Sequence, residues 1–252
     1  MNNRLRHFAA SIDSFTCFAS SWAGYDDGVA ACERGNYAAA FREFKPLAEQ
    51  GLAQAQFNLG NLYRKGDGVA QDPAEASRWY RKAAEQGDGK AQFNLGIMYA
   101  DGEGVGPDPA EAARWIRKAA EQGDAQAEFN LGVMYAHGKG VAQDAAEAAR
   151  WYRRAAEQGD AGAQCNLGVM YADGEGVAQD PVEAVRWYRK AAEQGDTKAN
   201  FNLGIMYHNG EGIAQDPVEA VRWYRKAAEQ GHAKAQYHLG GMYYEGKGVA
   251  QD

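Results

Sequence analysis

Cysteine and histidine are scarce in this chain of 252 residues, which contains three cysteines and five histidines. The cysteines show no spacing typical of a disulfide framework or a zinc site, and no two histidines have a metal-ligand spacing repeated with carboxylates or cysteines. The chain also lacks any run of the roughly 18 apolar residues that a membrane span needs. We therefore expect no metal, no cofactor and no membrane insertion.

Positive charge is not in excess either. The 27 basic and 34 acidic residues give a formal net charge of −7, and the two signs alternate along the sequence. No basic stripe is present to follow a phosphate backbone, so nucleic acid is not an expected partner. Serine is nearly confined to the first residues, and no nucleophile can be matched with a base. The sequence thus predicts a protein that is not an enzyme.

One phrase is present in six versions. FNLGIMYADGEGV begins at residue 93, and related phrases begin at residues 57, 129, 165, 201 and 237, so that the copies stand 36 residues apart. A Gly-x-Gly loop sometimes holds phosphate, but a phosphate loop is usually needed once, follows a strand and has further glycines or a Gly-Lys-Ser/Thr ending. A loop repeated with its surroundings at a fixed period indicates a solenoid instead.

The repeat at residues 88–123 predicts two helices. Leu95 and Met98 lie at helical spacing on the apolar face of a first helix, which ends near Gly102. Asp108 followed by a proline begins a second helix, which ends at a glycine. Because one pair cannot bury both faces, pairs must stack. The prediction is an all-α fold, a right-handed α/α superhelical solenoid of antiparallel helix pairs with a 36-residue period.

Glycine and tryptophan recur inside these helices. A helical glycine costs about 1 kcal/mol relative to alanine, so we expect close approach of the partner helix to compensate. The tryptophans have flanking alanines and are expected in the core rather than in a sugar-binding platform. The glycines are Gly60, Gly96, Gly132, Gly168, Gly204 and Gly240, and the tryptophans are Trp79, Trp115, Trp151, Trp187 and Trp223.

The pattern A-x-x-N-L-G-x-M-Y, followed by G-x-G-V and A-x-x-W-Y-x-x-A-A-E-Q-G, resembles the Sel-1-like repeat family, which is related to tetratricopeptide repeats. The resemblance covers about residues 52–252. It implies five full repeats and an incomplete sixth, at 52–87, 88–123, 124–159, 160–195, 196–231 and 232–252. Residues 25–51 resemble the tetratricopeptide-like helix pair that often opens such arrays, and we interpret them as the N-terminal cap.

The two ends of the sequence leave alternatives open. Residues 1–24 form a leader that is either a degenerate signal peptide, which implies a periplasmic or secreted protein, or a disordered cytoplasmic segment. The sixth repeat stops where its second helix should begin. Either the chain is a fragment of a longer array, or the first helix of the sixth repeat presents an apolar face that another molecule covers. The second alternative would permit self-association through this end.

A row of polar residues marks the candidate site. In a helical solenoid the first helices line the concave surface, and asparagine recurs beside their buried face. Asparagine both donates and accepts, so the row can bond the backbone of an extended peptide without reading its sequence. The alternative is that each asparagine bonds its own loop or the next helix and fixes the stacking. The row comprises Asn58, Asn94, Asn130, Asn166, Asn202 and His238.

An apolar track lies near this row and consists of Ile97, Val133, Val169 and Ile205. The family resemblance favours a peptide groove, so we expect a non-catalytic scaffold that binds a peptide or a partner protein. One alternative is an enzyme similar to the cysteine-rich relatives labelled β-lactamases, which is disfavoured because Ser-x-x-Lys, Lys-Thr-Gly and the paired cysteines are absent. Another is a secreted or surface adaptor that contacts envelope or host proteins.

Overall fold

The structure is a computed structural model that describes residues 24–248, so the leader prediction for residues 1–24 lies outside the described residues apart from residue 24. Within this range the chain forms helices and no strand. Each helix from the second onward contains 13 residues. The helices are α1 (24–33), α2 (Tyr37–Glu49), α3 (Ala53–Lys65), α4 (Pro73–Glu85), α5 (Gly89–Asp101), α6 (Pro109–Glu121), α7 (Ala125–His137), α8 (Ala145–Glu157), α9 (Ala161–Asp173), α10 (Pro181–Glu193), α11 (Thr197–Asn209), α12 (Pro217–Glu229) and α13 (Ala233–Glu245).

The prediction of an all-α fold built from repeated helix pairs is confirmed. Short loops join each first helix to its second helix, and the starts of equivalent helices are 36 residues apart, as for α5 and α7. The chain divides into two compact units at Ala119 and Ala120. We call the described residues up to Ala119 the N-terminal unit and those from Ala120 the C-terminal unit.

Side-chain and glycine caps set the helix boundaries. The Asp72 carboxylate accepts a hydrogen bond from the backbone N–H of Glu75 at 3.0 Å and so satisfies a free donor at the start of α4. Gly66 ends α3 in the left-handed conformation, with φ of 79°, which costs glycine little. Asp108 caps α6 in the same way, accepting from Glu111 N–H at 3.0 Å. The predicted start and stop residues therefore act as expected.

The glycines inside the first helices allow the second helix to approach closely. A Cβ atom on Gly60 would lie 2.7 Å from the ring of Tyr80, and one on Gly168 would lie 2.6 Å from Tyr188. These distances are shorter than real Cβ contacts, so the expectation of a close approach is confirmed. At Gly240 in α13, apart from the nearby backbone of its own helix, no atom of residues 24–248 lies within 4 Å of the position a Cβ would occupy.

Tryptophan and leucine form the core of each unit. In the N-terminal unit, Trp79 packs with Phe44 and Leu59. In the C-terminal unit, Trp223 packs with Leu203 and with the preceding second helix. The five tryptophans expose at most 9 % of their surface, and this burial confirms that they are core residues.

Within each unit, the second glycine of a Gly-x-Gly loop contacts the preceding helix pair. In the N-terminal unit, a Cβ on Gly104 would lie 2.2 Å from the carbonyl oxygen of Pro73, the first residue of α4. In the C-terminal unit, a Cβ on Gly212 would lie 2.1 Å from the carbonyl oxygen of Pro181, the first residue of α10. These loops therefore join consecutive helix pairs by backbone contact that only glycine permits.

Candidate functional site

The residues of the asparagine row lie on the first helices and are all half-buried. In the N-terminal unit, the Asn58 side chain donates from Nδ2 to the hydroxyl of Tyr25 at 3.2 Å. The side chain of Asn94 opposes the rise that burial causes in the pKa of the Tyr80 hydroxyl. That hydroxyl also donates to Oδ1 of Asn61 at 2.7 Å. Asn58 is thus bonded to a tyrosine of an earlier helix, and the neighbouring Asn61 to a tyrosine of the following helix.

In the C-terminal unit, the side chains of Asn166 and Asn202 oppose the rise that burial causes in the pKa of Tyr152 and of Tyr188. Asn130 instead turns back along its own helix and donates from Nδ2 to the carbonyl of Gln126 at 2.7 Å. The tyrosines stand 14 residues before their asparagines, and in the same position before Asn130 the sequence has isoleucine, which has no hydroxyl.

The tyrosine hydroxyls remain protonated at neutral pH. Burial raises the pKa of Tyr80 and of Tyr152 to about 12, and it raises the pKa of Tyr188 as well. Desolvation disfavours the phenolate, which explains the direction of these changes. A protonated hydroxyl can both donate and accept, so it can hold an asparagine amide through either atom.

His238 occupies the last position of the row and interacts through its ring. It stacks on Tyr224 with the ring centroids 5.3 Å apart, and it also lies 5.6 Å from Phe201. Burial lowers the pKa of His238, and the nearby His208 lowers it further. The imidazole is therefore neutral near pH 7 and takes part in an aromatic cluster at the end of the C-terminal unit.

The apolar track is also half-buried. Ile97, Val133, Val169 and Ile205 each lie three residues after an asparagine of the row, so they are adjacent to it on the same helix. Val169 and Ile205 pack partly against core clusters of the C-terminal unit. In the first repeat the track position is Asn61, which pairs with Tyr80.

Arginine–tyrosine pairs form a second recurring feature that the sequence interpretation missed. Arg153 donates from Nη2 to the hydroxyl of Tyr171 at 2.7 Å, and Arg189 donates in the same way to Tyr207 at 2.9 Å. A third pair of the C-terminal unit joins Arg225 and Tyr243, and in the N-terminal unit Arg81 pairs with Tyr99. The signal was available as an arginine 18 residues before the tyrosine in every copy from the second onward.

A buried ion pair in the C-terminal unit was also missed. The carboxylate of Glu128 lies 2.7 Å from Nη2 of Arg154, and Nε2 of Gln158 donates to it at 2.7 Å. The Glu128 side chain is 1 % exposed, and burial raises its pKa above the usual range despite the neighbouring arginine. Glutamine or asparagine replaces this glutamate in every other copy, and lysine replaces the arginine. Comparison of the copies would have revealed the joint change.

The described residues offer little to catalytic chemistry. The hydroxyl of Ser77 donates to the carbonyl of Ala74 at 2.8 Å. Burial raises the pKa of the Cys165 thiol to about 12, so that it is not a thiolate at neutral pH. Among residues 24–248, no group of three or more histidine, cysteine, aspartate or glutamate side chains is placed to hold a metal ion. None of the helices in this range combines the length and the apolar character that crossing a membrane requires.

Repeated helix pairs joined through their loops define a helical repeat protein. The chain belongs to the Sel1 repeat family, because the Sel1 repeat profile matches residues 53–88, 89–124, 125–160, 161–196, 197–232 and 233–252. Each of these repeats begins one residue later than the boundary drawn from the sequence. The family consists of helical solenoid proteins that generally act as protein-interaction scaffolds and are typically not catalytic.

Two solved structures are similar to this chain. The first is c5321, a protective antigen of uropathogenic Escherichia coli that displays an SLR fold, with 46 % identity and a TM-score of 0.80. The match covers 84 % of this chain but 45 % of the E. coli protein, so this chain spans less than half of that relative. The second is a Sel1 repeat protein from Oxalobacter formigenes, with 39 % identity, a TM-score of 0.79 and coverage of 91 % and 92 %. A comparison with curated proteins gave no match.

Proposed function

We propose that this protein is a non-catalytic scaffold that binds an extended segment of a partner protein along the exposed side of its first helices. The observation that carries the proposal is the row of half-buried asparagines, one in each repeat of the C-terminal unit up to Asn202. An amide side chain can bond both the carbonyl and the N–H of a peptide backbone. A row at the repeat spacing would therefore bond an extended segment at regular intervals.

The neighbouring apolar track supports the same proposal. Val133, Val169 and Ile205 are partly exposed beside the row and offer apolar contacts to a partner's side chains. Hydrogen bonds to the backbone supply affinity that depends little on sequence, and the track supplies selectivity. Several such contacts on one scaffold raise the overall affinity for the segment even when each contact is weak, because the first contact raises the effective concentration for the next.

A cell-surface adaptor is a second candidate that differs in its partner and not in its binding mode. The likeness to the E. coli protein, which is a protective antigen, favours this candidate. Peptide capture by the same asparagines would operate in either location. The same binding experiment therefore tests both candidates.

The double variant Asn166→Ala and Asn202→Ala is expected to lose partner binding while its melting temperature changes by only a few degrees. Both side chains are half-buried, and their loss removes peptide contacts but no core packing. The measurement is affinity capture from bacterial lysate and from periplasmic extract, read by mass spectrometry. Arg186→Ala, which removes an exposed side chain of α10, is the matched control.

Site-specific crosslinking would locate the bound segment. A photo-crosslinking residue at Asp173, which is seven residues after Asn166 and therefore on the same side of α9, should label the captured partner. The same residue at Val182 of α10, which is 63 % exposed, should not. Labelling from Val182 alone, or equal capture by the alanine variant, would contradict peptide binding by the row.

We also propose that α13 mediates weak self-association. Tyr237 and Tyr244 of this helix are 81 % and 93 % exposed, and the adjacent Gly240 and Gly241 have no neighbour within 4 Å of a Cβ position. Exposed aromatic side chains beside such an open surface are typical of contact sites. Sedimentation velocity should show a dimer that grows with concentration and disappears when both tyrosines are replaced by serine. A monomer at every concentration would refute this.

A further inference from the structure

We propose that one face of α13, formed by Gln236, Tyr237 and Gly240, is a docking site for an amphipathic helix of a partner protein that has the pattern of the second helices. That pattern consists of adjacent tryptophan and tyrosine, two alanines, and a glutamine six residues after the tyrosine. We call these three residues of α13 the docking face. The inference does not depend on the asparagine row, because it rests on contacts that the equivalent residues of earlier repeats make with their own second helices.

The glycine of the docking face is open where earlier glycines are covered. In α11, a Cβ on Gly204 would lie 2.6 Å from the ring of Tyr224, because the following second helix places its tyrosine against this position. The equivalent residue of α13 is Gly240, where no atom of residues 24–248 lies within 4 Å of a Cβ position, apart from the nearby backbone of α13. A glycine weakens a helix relative to alanine, and close approach of a ring compensates for this at Gly204. The ring of a docked helix would do the same at Gly240.

The aromatic ring of the docking face is exposed where its equivalent is covered. Phe201 of α11 is 8 % exposed, and its ring centroid lies 5.9 Å from that of Tyr224 in α12. Tyr237 has the same position in α13 and is 81 % exposed. A cleft of about 590 Å³ opens here, and all three residues of the docking face contribute to its lining. Tyr237 therefore offers a docked helix the ring contact that Phe201 makes with α12.

The glutamine of the docking face is already held in the orientation of its equivalents. In α9, Nε2 of Gln164 donates to the carbonyl of Ala156 at 3.0 Å, and its Oε1 accepts from Nε2 of Gln194, at the end of the next helix, at 2.8 Å. In α13, Nε2 of Gln236 donates in the same way to the carbonyl of Ala228 at 3.2 Å. This bond leaves Oε1 of Gln236 able to accept from the glutamine that ends a docked helix.

A second copy of the chain does not fit the docking face as well as a free helix does. The second helices of the C-terminal unit have the right pattern, but their tyrosines are buried in their own helix pairs: Tyr152 is 4 % exposed, Tyr188 is 3 % exposed and Tyr224 is 1 % exposed. Such a helix would have to leave its own pair before it could dock. Contact between two α13 helices supplies no second helix, so self-association there should be weak and should compete with a free helix of this pattern.

The test uses the full chain and a peptide with the sequence of residues 180–195, which is identical to that of residues 216–231. A covalent staple between the positions of Arg186 and Lys190, which are exposed in α10, keeps the peptide helical. Binding is measured by fluorescence anisotropy at a chain concentration at which sedimentation shows a monomer. We expect saturable binding that weakens at least about tenfold in a Tyr188→Ala peptide, because that ring enters the glycine position.

Gly240→Leu in the full chain is the complementary variant. No side chain crowds this position, so the variant should fold like wild type, as circular dichroism would show. The leucine occupies the place of the docked ring, so peptide binding should weaken at least about tenfold. Lys234→Ala is the matched control on the same helix, because Lys198, its equivalent in α11, stays exposed although α12 covers that helix.

Three results would overturn the inference: no binding of the stapled peptide, binding that survives Gly240→Leu, and equal binding of the Tyr188→Ala peptide. Absence of peptide binding together with a dimer that grows with concentration would assign the docking face to a second copy instead. The peptide variant decides the question by itself if Gly240→Leu does not fold. None of these results bears on the asparagine row, which the alanine variants of Asn166 and Asn202 test separately.

Discussion

Replacing Gly212 with alanine should destabilise the C-terminal unit by about 3 kcal/mol or more. Gly212 has a φ of +67°, a left-handed conformation that costs other residues roughly 1–2 kcal/mol. An added methyl group would also lie 2.1 Å from the carbonyl oxygen of Pro181 and 2.8 Å from the backbone nitrogen of Val182. Backbone atoms at the start of α10 cannot rotate away as a side chain could, so the overpacking adds about 1–3 kcal/mol.

Gly231→Ala is the matched control, because Gly231 has a φ of +84° but no atom within 4 Å of the added Cβ. It should lose only the conformational part, about 1–2 kcal/mol. The two variants are compared by the midpoint of urea denaturation and by amide hydrogen exchange in α10, whose start the Gly212 loop contacts, and in α11, which the loop follows. Equal losses at both sites would show that contact with the preceding repeat contributes nothing to stability.

The helix pairs and their boundaries could be predicted because the residues that set them act locally. Asp108 caps α6 through a backbone N–H three residues away, and Gly66 ends α3 by its own conformation. Each of these effects depends on neighbours in sequence, and six copies repeat the evidence. The core position of Trp79 follows in the same way from helical periodicity.

The partners of the asparagine row could not be predicted from one repeat. Whether Asn202 lies near a peptide or near Tyr188 depends on where the Tyr188 ring lies, and Gly168 of the preceding helix lets that ring pack closely against it. Helical spacing places a side chain on a face of its own helix but does not measure the gap to the next one. The stacking role and the peptide role, which the sequence left as alternatives, do not exclude each other, since one amide can serve both.

The ion pair of Glu128 and Arg154 shows a different limit. The other copies show which residue type is usual at this position of the repeat. A single glutamate where they have glutamine or asparagine therefore looks like a minor polar change. The structure places that carboxylate in the interior of the C-terminal unit, where its charge needs a partner. The change from lysine to Arg154 supplies that partner: its guanidinium lies 2.7 Å from Glu128 and donates to the carbonyl of Ala120 at 3.3 Å.

Replacing Arg154 with methionine should therefore destabilise the C-terminal unit at pH 7 by about 2–3 kcal/mol. Removing one member of a buried ion pair typically costs about 3–5 kcal/mol, because the other charge is left uncompensated. The Arg154 side chain is 41 % exposed, so solvent screens part of the interaction and we expect a value below that range. Gln158 still donates to the carboxylate and limits the loss.

The loss in Arg154→Met should shrink as the pH falls. Burial already raises the pKa of Glu128 in the folded protein, and the arginine charge that lowers it would be gone. A carboxyl group with a raised folded pKa destabilises the fold above that pKa, because the folded state then holds an unfavourable charge. Below the ordinary pKa of 4.5 the group is protonated in both states, so the penalty from the unpaired charge vanishes. The measurement is urea denaturation of variant and wild type from pH 7 down to about pH 4.5.

The double variant Glu128→Gln and Arg154→Lys separates charge from packing. It installs the residues that stand at these positions in the first repeat, Gln56 and Lys82, where Gln56 donates to the carbonyl of Ala48 at 3.0 Å. This variant should recover most of the stability at pH 7, and its difference from wild type should change less with pH than that of Arg154→Met, because Arg154 limits the rise in the pKa of Glu128 in wild type. A variant Arg154→Met that is as stable as wild type at pH 7, or whose loss is the same at every pH, would show that Glu128 does not carry a buried charge.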